Sequence, residues 1–397
     1  MNIIYIASTC SREKYFEYVE KKGERAAQQA QKYNLLLAEG LAANSAQVDL
    51  FSTRPINRNL EKRIWFKGEK ERKNGVNFHY MPFMNLPVLR NVFLFFDVFN
   101  KVLFSKRSKK DTAIVCDALN ITAAFAGCLA GRIRGFKSIA IVTDIPCFLT
   151  KSSHFFSAVN LKIMQSFDGY LLLTKAMSDI VNPHNNPYIV LEGHADGKMA
   201  YMKNELSQKY DKKVCLYAGS LMEKYGIKYF INGFLKANIP NTEFHIYGNG
   251  NFEEQIREMA KEHENIKYMG IAPNSEVVEA ELKAALLINP RPSNEEYTKY
   301  SFPSKNMEYM ASGTPVLTTH LPGMPDDHKP YVFFIEEENE DGAKAALEKV
   351  FALSDKELND FGKKAKEFIL EKKNNVAQGK KVLDLCRQLT EKNGGAK

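Results

Sequence analysis

A chain of 397 residues exceeds what one hydrophobic core sustains, so two domains are expected. A hydrophobic fraction of 44% and a charged fraction of 26% exclude disordered and fibrous classes, and no apolar run reaches bilayer length. The net charge of +8 is spread without basic-aromatic interleaving, which argues against nucleic acid as a partner, while six cysteines without C-x-x-C spacing argue against a disulfide framework or zinc site and fit a reducing cytoplasm.

In chain order, Ile3 to Ala7 reads as a first strand, and Met1–Ala7 is too short, with no basic flank, for a signal peptide. A helical pattern over Glu24 to Ala43 and a strand over Gln47 to Ser52 follow. The stretch 88–110 joins bulky apolar residues to the cations Lys101, Lys106, Arg107, Lys109 and Lys110. It reads either as a helix in an anionic membrane interface, with Phe93, Phe96 and Phe99 toward lipid, or as a partly buried helix with a solvated basic end. Apolar residues nearly all round 92–99 favour partial burial.

Strands are then expected at Ala113 to Cys116, Ser138 to Thr143, Tyr170 to Leu173 and Tyr188 to Leu191, with a small-residue helix over Ile121 to Arg132. Strands separated by helices imply parallel βαβ units and a doubly wound sheet. Polar residues from Leu191 to Lys213 mark a linker. A second series begins at Val214 to Ala218 and continues through Lys228 to Ala237, Glu243 to Tyr247, Phe252 to Glu262, Ile266 to Tyr268, Leu286 to Asn289, Val316 to Thr318 and Val332 to Ile335. The expected organisation is therefore an N-terminal Rossmann-like domain over 1–192, a linker over 193–212, a second such domain over 213–353, and a charged helical tail over 354–397. Two such α/β domains place a central cleft at the carboxyl ends of their strands, where ligands bind in such folds.

The chemistry concentrates at 297–317, where a polar turn (Tyr300, Ser301, Phe302, Pro303, Ser304, Lys305) feeds a short helix bearing Glu308 and then Gly313-Thr314-Pro315 leads into an apolar strand. A loop at a helix N-terminus presents free N–H groups and the positive end of the dipole, suiting a diphosphate. A carboxylate one turn in can accept two ribose hydroxyls. An ordinary αβ unit is the plain alternative. Upstream, Gly219, Ser220 and Lys224 lie in a Gly-bounded loop after a strand, and Gly248 and Gly250 form a lone Gly-x-Gly, weak by itself. Arg291 follows the strand Leu286 to Asn289; a solvated surface cation is the alternative for it, for Lys224 and for Lys305. Asp144 ends an apolar strand, as an orienting carboxylate or a helix N-cap.

These segments resemble the signature of the retaining glycosyltransferases of family 4, which have the GT-B fold and use nucleotide-sugar donors. The resemblance rests on Glu308, Gly313, Pro315 and Val316, and on Gly219, Leu221 and Gly226. Where the family carries a first Glu this chain has Tyr300, and where it carries Arg and Lys in the Gly loop it has Ser220 and Tyr225. The resemblance implies a nucleotide-sugar donor, most simply uridine-linked, read in part by main-chain atoms near Ile271, with no metal. It implies Lys305 and Arg291 as substitute cations, and a C-terminal helix returning to the first domain. A glycan or lipid-linked glycan of a bacterial surface polysaccharide is the expected acceptor, at the inner face of the membrane. A nucleotide-sugar 2-epimerase of the same fold, or a degenerate sugar-nucleotide-binding subunit, are the alternatives. Absence of Asp-x-Asp, of a GxxxxGK[ST] loop and of a GxGxxG after the first strand removes other nucleotide-binding classes.

Overall fold

The computed structural model describes residues 1–22, 28–145 and 154–391. Cys147, residues 24–27 of the expected helix and the polar end from Lys392 onward lie outside them. The chain divides into two compact units, one of residues 1–194 with 375–397, the other of residues 195–374.

The first unit is built on an eight-stranded sheet. Its strands are β1 (Asn2–Ala7), β2 (Gln47–Ser52), β4 (Glu69–Lys73), β5 (Val76–Tyr80), β7 (Thr112–Asp117), β8 (Lys137–Val142), β9 (Gly169–Leu172) and β10 (Tyr188–Val190), in the order β10-β9-β8-β7-β1-β2-β5-β4. All pairs are parallel except β4 with β5, and a two-stranded piece, β3 (Trp65–Phe66) with β6 (Phe83–Met84), lies outside this sheet. Strands covered on both faces read as continuous apolar runs, as in β7, every residue of which is buried. The helix Ile121–Arg134 is rich in Ala and Gly because it lies hard against the sheet: a Cβ on Gly127 would overlap Ile6, and one on Gly131 would overlap Ile114. The strands at 65–84 are absent from the sequence expectation. Glu69–Lys73 is a charged, mostly exposed edge strand without apolar alternation, which is how an edge resists further pairing.

The helix Pro87–Leu103 splits its apolar residues between two faces. Leu94, Val98 and Val102 are buried, whereas Val88, Leu89, Val92, Phe93 and Phe96 are exposed, Phe96 by 58%. Of the basic tail, Arg107 is engaged by Asp49 and Asn2, and Lys101 by Asp97, so only Lys106, Lys109 and Lys110 stand as exposed cations. That corrects the expectation of five free charges. Among the described residues no helix is long and apolar enough to cross a membrane.

The second unit has a six-stranded, wholly parallel sheet: β11 (Lys213–Ala218), β12 (Thr242–Tyr247), β13 (Ile266–Gly270), β14 (Leu286–Asn289), β15 (Val316–Thr318) and β16 (Phe333–Phe334), in the order β13-β12-β11-β14-β15-β16. Its core packs Phe230, Ile231 and Phe234 of the helix Ile227–Ala237 against Phe244 and Ile246 of β12. Residues 195–212, polar in sequence, are built into this unit. Lys209 donates to the Leu282 and Ala284 carbonyls at 2.8 Å, and Asn204 donates to the Ser312 carbonyl at 3.0 Å. The tail forms two helices. Asp355–Lys372, opened by a Ser354/Glu357 capping box, belongs to the second unit, and Asn375–Glu391 to the first.

Candidate functional site

Most of the candidate residues collect in the second unit, at the carboxyl ends of β11, β12 and β14. After β11 the chain turns at Gly219 (φ +156°), and after β12 at Gly248 (φ +128°). The two loops lie backbone on backbone, with Leu221 N–H donating to the Asn249 carbonyl at 2.8 Å and Phe252 N–H to the Leu221 carbonyl at 3.0 Å. A Cβ on Gly248 would overlap the Gly219 carbonyl, and one on Gly250 would overlap Leu221. The Gly-x-Gly thus has a packing reason of its own, and it anchors the next loop: Gly248 N–H donates to the Gly270 carbonyl at 2.8 Å, one residue before the 57%-exposed Ile271.

The helix Ser304–Ser312 is set against the same edge. Tyr309 Oη accepts from Ala218 N–H at 2.9 Å and lies 3.2 Å from the Ala218 carbonyl, while Asn306 Oδ1 accepts from Asn289 at 2.7 Å. No side chain caps its N-terminus at Pro303, and it ends on Gly313 in the left-handed region. Phe302, expected at the ligand, is instead a core residue of this unit, so only its backbone can serve a ligand.

Three cations rest on aromatic rings here. Lys305 Nζ lies 3.9 Å from the Tyr217 ring centroid, and Tyr217 Oη donates to the Ser220 carbonyl at 2.8 Å. The Arg291 guanidinium sits 5.3 and 4.7 Å from the Tyr225 and Tyr297 rings, and Lys224 Nζ sits 5.5 and 5.6 Å from the same two. Among the described residues none of the three cations forms an ion pair. Arg291 Nε, Tyr297 Oη and Ser301 Oγ are buried atoms with no hydrogen-bond partner, an arrangement that native interiors rarely leave unanswered. Burial of the Lys305 ammonium, and after it the positive Arg291, pushes that lysine down to about 7, against the opposing pull of Glu281 and Glu308. These rings are what the sequence reading missed; in a strand or loop a tyrosine reads as packing, and nothing in its spacing marks it as a seat for a cation.

Glu308 is half-buried, one turn along the helix from Lys305, and Tyr300 closes the turn Glu296–Tyr300. Asp144 belongs to the first unit, just past β8, and is described there. Burial raises the Asp117 carboxyl to about 6, with the charge of Asp144 adding to the rise, and Asp117 accepts from Leu119 N–H at 3.0 Å and Asn34 Nδ2 at 3.1 Å.

Two doubly wound units, one presenting glycine loops and an uncapped helix at its strand ends, define the GT-B architecture. Residues 199–368, within the second unit, match the model of the glycosyl transferases group 1, so this unit carries a glycosyltransferase domain of that group. No curated protein sequence matches it. Among solved structures it is similar to a sucrose-phosphate synthase from Thermosynechococcus elongatus, at 14% identity over 99% of this chain and 100% of that one, TM-score 0.64. It is similar to Anabaena HepE in complex with UDP, at 14% identity over 97% and 99%, TM-score 0.62. It is also similar to an E. coli trehalose-6-phosphate structure bound with UDP-2-fluoro glucose, at 9% identity over 98% and 99%, TM-score 0.66. Likeness at these identities establishes the fold.

Proposed function

We propose that the protein moves a sugar from a uridine diphosphate donor to a hydroxyl of a glycan or lipid-linked glycan, with retention at the anomeric carbon, as in the family 4 enzymes. The observation that carries the donor assignment is the set of three basic side chains, Lys224, Arg291 and Lys305, held on tyrosine rings around glycine loops with no carboxylate among the described residues in an ion pair with them. A diphosphate supplies the missing charge. Ser301, Tyr297 and the open N–H groups at Ser304 and Lys305 answer its oxygens, and Glu308 takes the ribose. In the reaction the bond from the anomeric carbon to the diphosphate oxygen breaks and the bond to the acceptor oxygen forms, the acceptor proton passing to the departing phosphate. The protein positions the partners and stabilises the growing negative charge; no metal is required in this account. UDP in the Anabaena HepE structure supports the choice of nucleotide. The exposed apolar stripe Val88 to Phe96, with Lys106, Lys109 and Lys110 following it, supports a lipid-linked acceptor met at an anionic membrane surface.

The test is turnover of a panel of uridine diphosphate sugars with and without lipid-linked glycan, reading the anomeric configuration of the product. Acceptor-dependent transfer with retention is expected. An altered free sugar made from donor alone would replace this reading with the 2-epimerase.

A further inference from the structure

Lys305 is an unusual place to keep a positive charge. Its ammonium abuts the backbone of the first glycine loop, so closely that a Cβ on Gly219 would overlap Nζ, and its companion on the other side is the Tyr217 ring. Among the described residues it has no hydrogen bond and no ion pair. The charged and titratable groups around it come from four elements: Tyr217 from β11, Arg291 from the loop after β14, Glu281 from the helix Asn274–Lys283, and Glu308 from its own helix. The carboxylates of Glu281 and Glu308 act on it from outside bonding distance, and the guanidinium opposes it. A half-buried ammonium packed between an aromatic ring and glycine backbone, beside another cation and without a bonded anion, loses its proton more readily than one in water.

Resting on the reading of this site as the donor diphosphate site, we propose that the donor diphosphate binds together with one proton, which Lys305 takes up, so that the cation missing from the glycine loop is generated in place by the ligand itself. In the empty site the amine on its ring gives up its proton as the pH rises past about 7, and Arg291 and Lys224 draw the diphosphate in. The diphosphate oxygens then convert the amine to an ammonium, the proton coming from solvent, and the full counter-charge exists only when the leaving group is present. The direction of the lysine's shift, down to about 7 when empty, agrees with this geometry.

Linkage fixes the consequence. Donor affinity holds steady below the empty-state value of the lysine and falls by about tenfold for each pH unit above it, until the ordinary lysine range is reached. UDP binding to the full chain would be followed by titration calorimetry at pH 8 in Tris and in HEPES, whose different ionisation heats report protons exchanged. The expected result is uptake of about one proton per UDP by the wild type, with affinity weakening from pH 7.5 to 9. Lys305→Arg carries its charge at every pH and is expected to bind UDP with no extra uptake and a flat profile. Because any proton taken by UDP itself appears in both proteins, their difference belongs to Lys305. Should the arginine variant fail to fold, Lys305→Met serves in its place, with weaker binding and the same loss of uptake. UDP binding by the wild type without proton uptake, or undiminished uptake by the variants, overturns the inference and leaves the donor site standing. No UDP binding at all overturns the donor site, and this inference with it.

Discussion

At the level of single residues, Lys305 sets function against stability. Its proton is bound more weakly in the fold than in the unfolded chain, where a lysine titrates near 10.4. The unfolded state therefore holds a proton that the fold gives up between about pH 7 and the ordinary lysine range, and the stability of the empty protein rises with pH through that window. Lys305→Met should remove the penalty. We expect it to raise the melting temperature of the ligand-free protein by about 2–4 °C at pH 7, about 1 kcal/mol, with the gain shrinking toward pH 10, while turnover falls. An unchanged or lowered melting temperature at pH 7 would mean that the ring contact outweighs the desolvation. Glu308→Ala, by contrast, should leave melting unchanged and weaken UDP binding by about 1.5–3 kcal/mol, read by calorimetry. The placement of Lys305 and Glu308 on a helix after a polar turn, and of Arg291 just after β14, was legible from the order of strands and helices; the roles proposed for them rest on that placement. The inward turn of the Phe302 ring was not legible, because a place in the motif says nothing of which way a ring turns, and the hydrophobic effect takes it into the core.

Among the elements, those with buried two-sided strands were legible and those held by a few polar contacts were not. β14 and β15 lie where apolar runs place them, at Leu286–Asn289 and Val316–Thr318. The segment 195–212 carries no periodicity, and its structure comes from single anchors such as Lys209, which donates to two carbonyls at the end of the helix Asn274–Lys283 and to Thr314 Oγ1 at 3.2 Å. Lys209→Met should lower stability by about 2 kcal/mol, since it leaves buried carbonyls unanswered; equal denaturation midpoints for mutant and wild type would show the anchors to be idle. The helix Pro87–Leu103 is the opposite case, apolar on both of its faces. Exchanging Phe93 and Phe96 for Ser should spare stability and abolish sedimentation with anionic vesicles at low salt, whereas Leu94→Ser and Val98→Ser should unfold the first unit. Vesicle binding that survives the Phe substitutions would remove this face from the acceptor account.

For the molecule as a whole, chain connectivity makes the two units unequal. Residues 195–374 form one contiguous unit holding every proposed donor contact, whereas the first unit is completed only by the helix Asn375–Glu391. That helix supplies Val382, Leu383, Leu385, Cys386 and Leu389 to the first unit's core, and it packs on Gln28–Ala43 so closely that a Cβ on Gly379 would overlap the backbone of Gly40. Ending the chain at Asn374 should therefore uncover the first core and leave the second intact. Trp65, the single tryptophan, lies in the first unit, so its emission reports that unit alone. The truncated chain is expected to show unfolded tryptophan emission at 25 °C and one remaining calorimetric transition, which UDP at about a hundred times its Kd stabilises by about 2.7 kcal/mol. The size of that shift tests whether the donor site is complete within one unit. Native tryptophan emission after truncation would mean that the helix is dispensable to the first core, and a remaining transition that UDP does not move would mean that the nucleotide needs groups from outside residues 195–374.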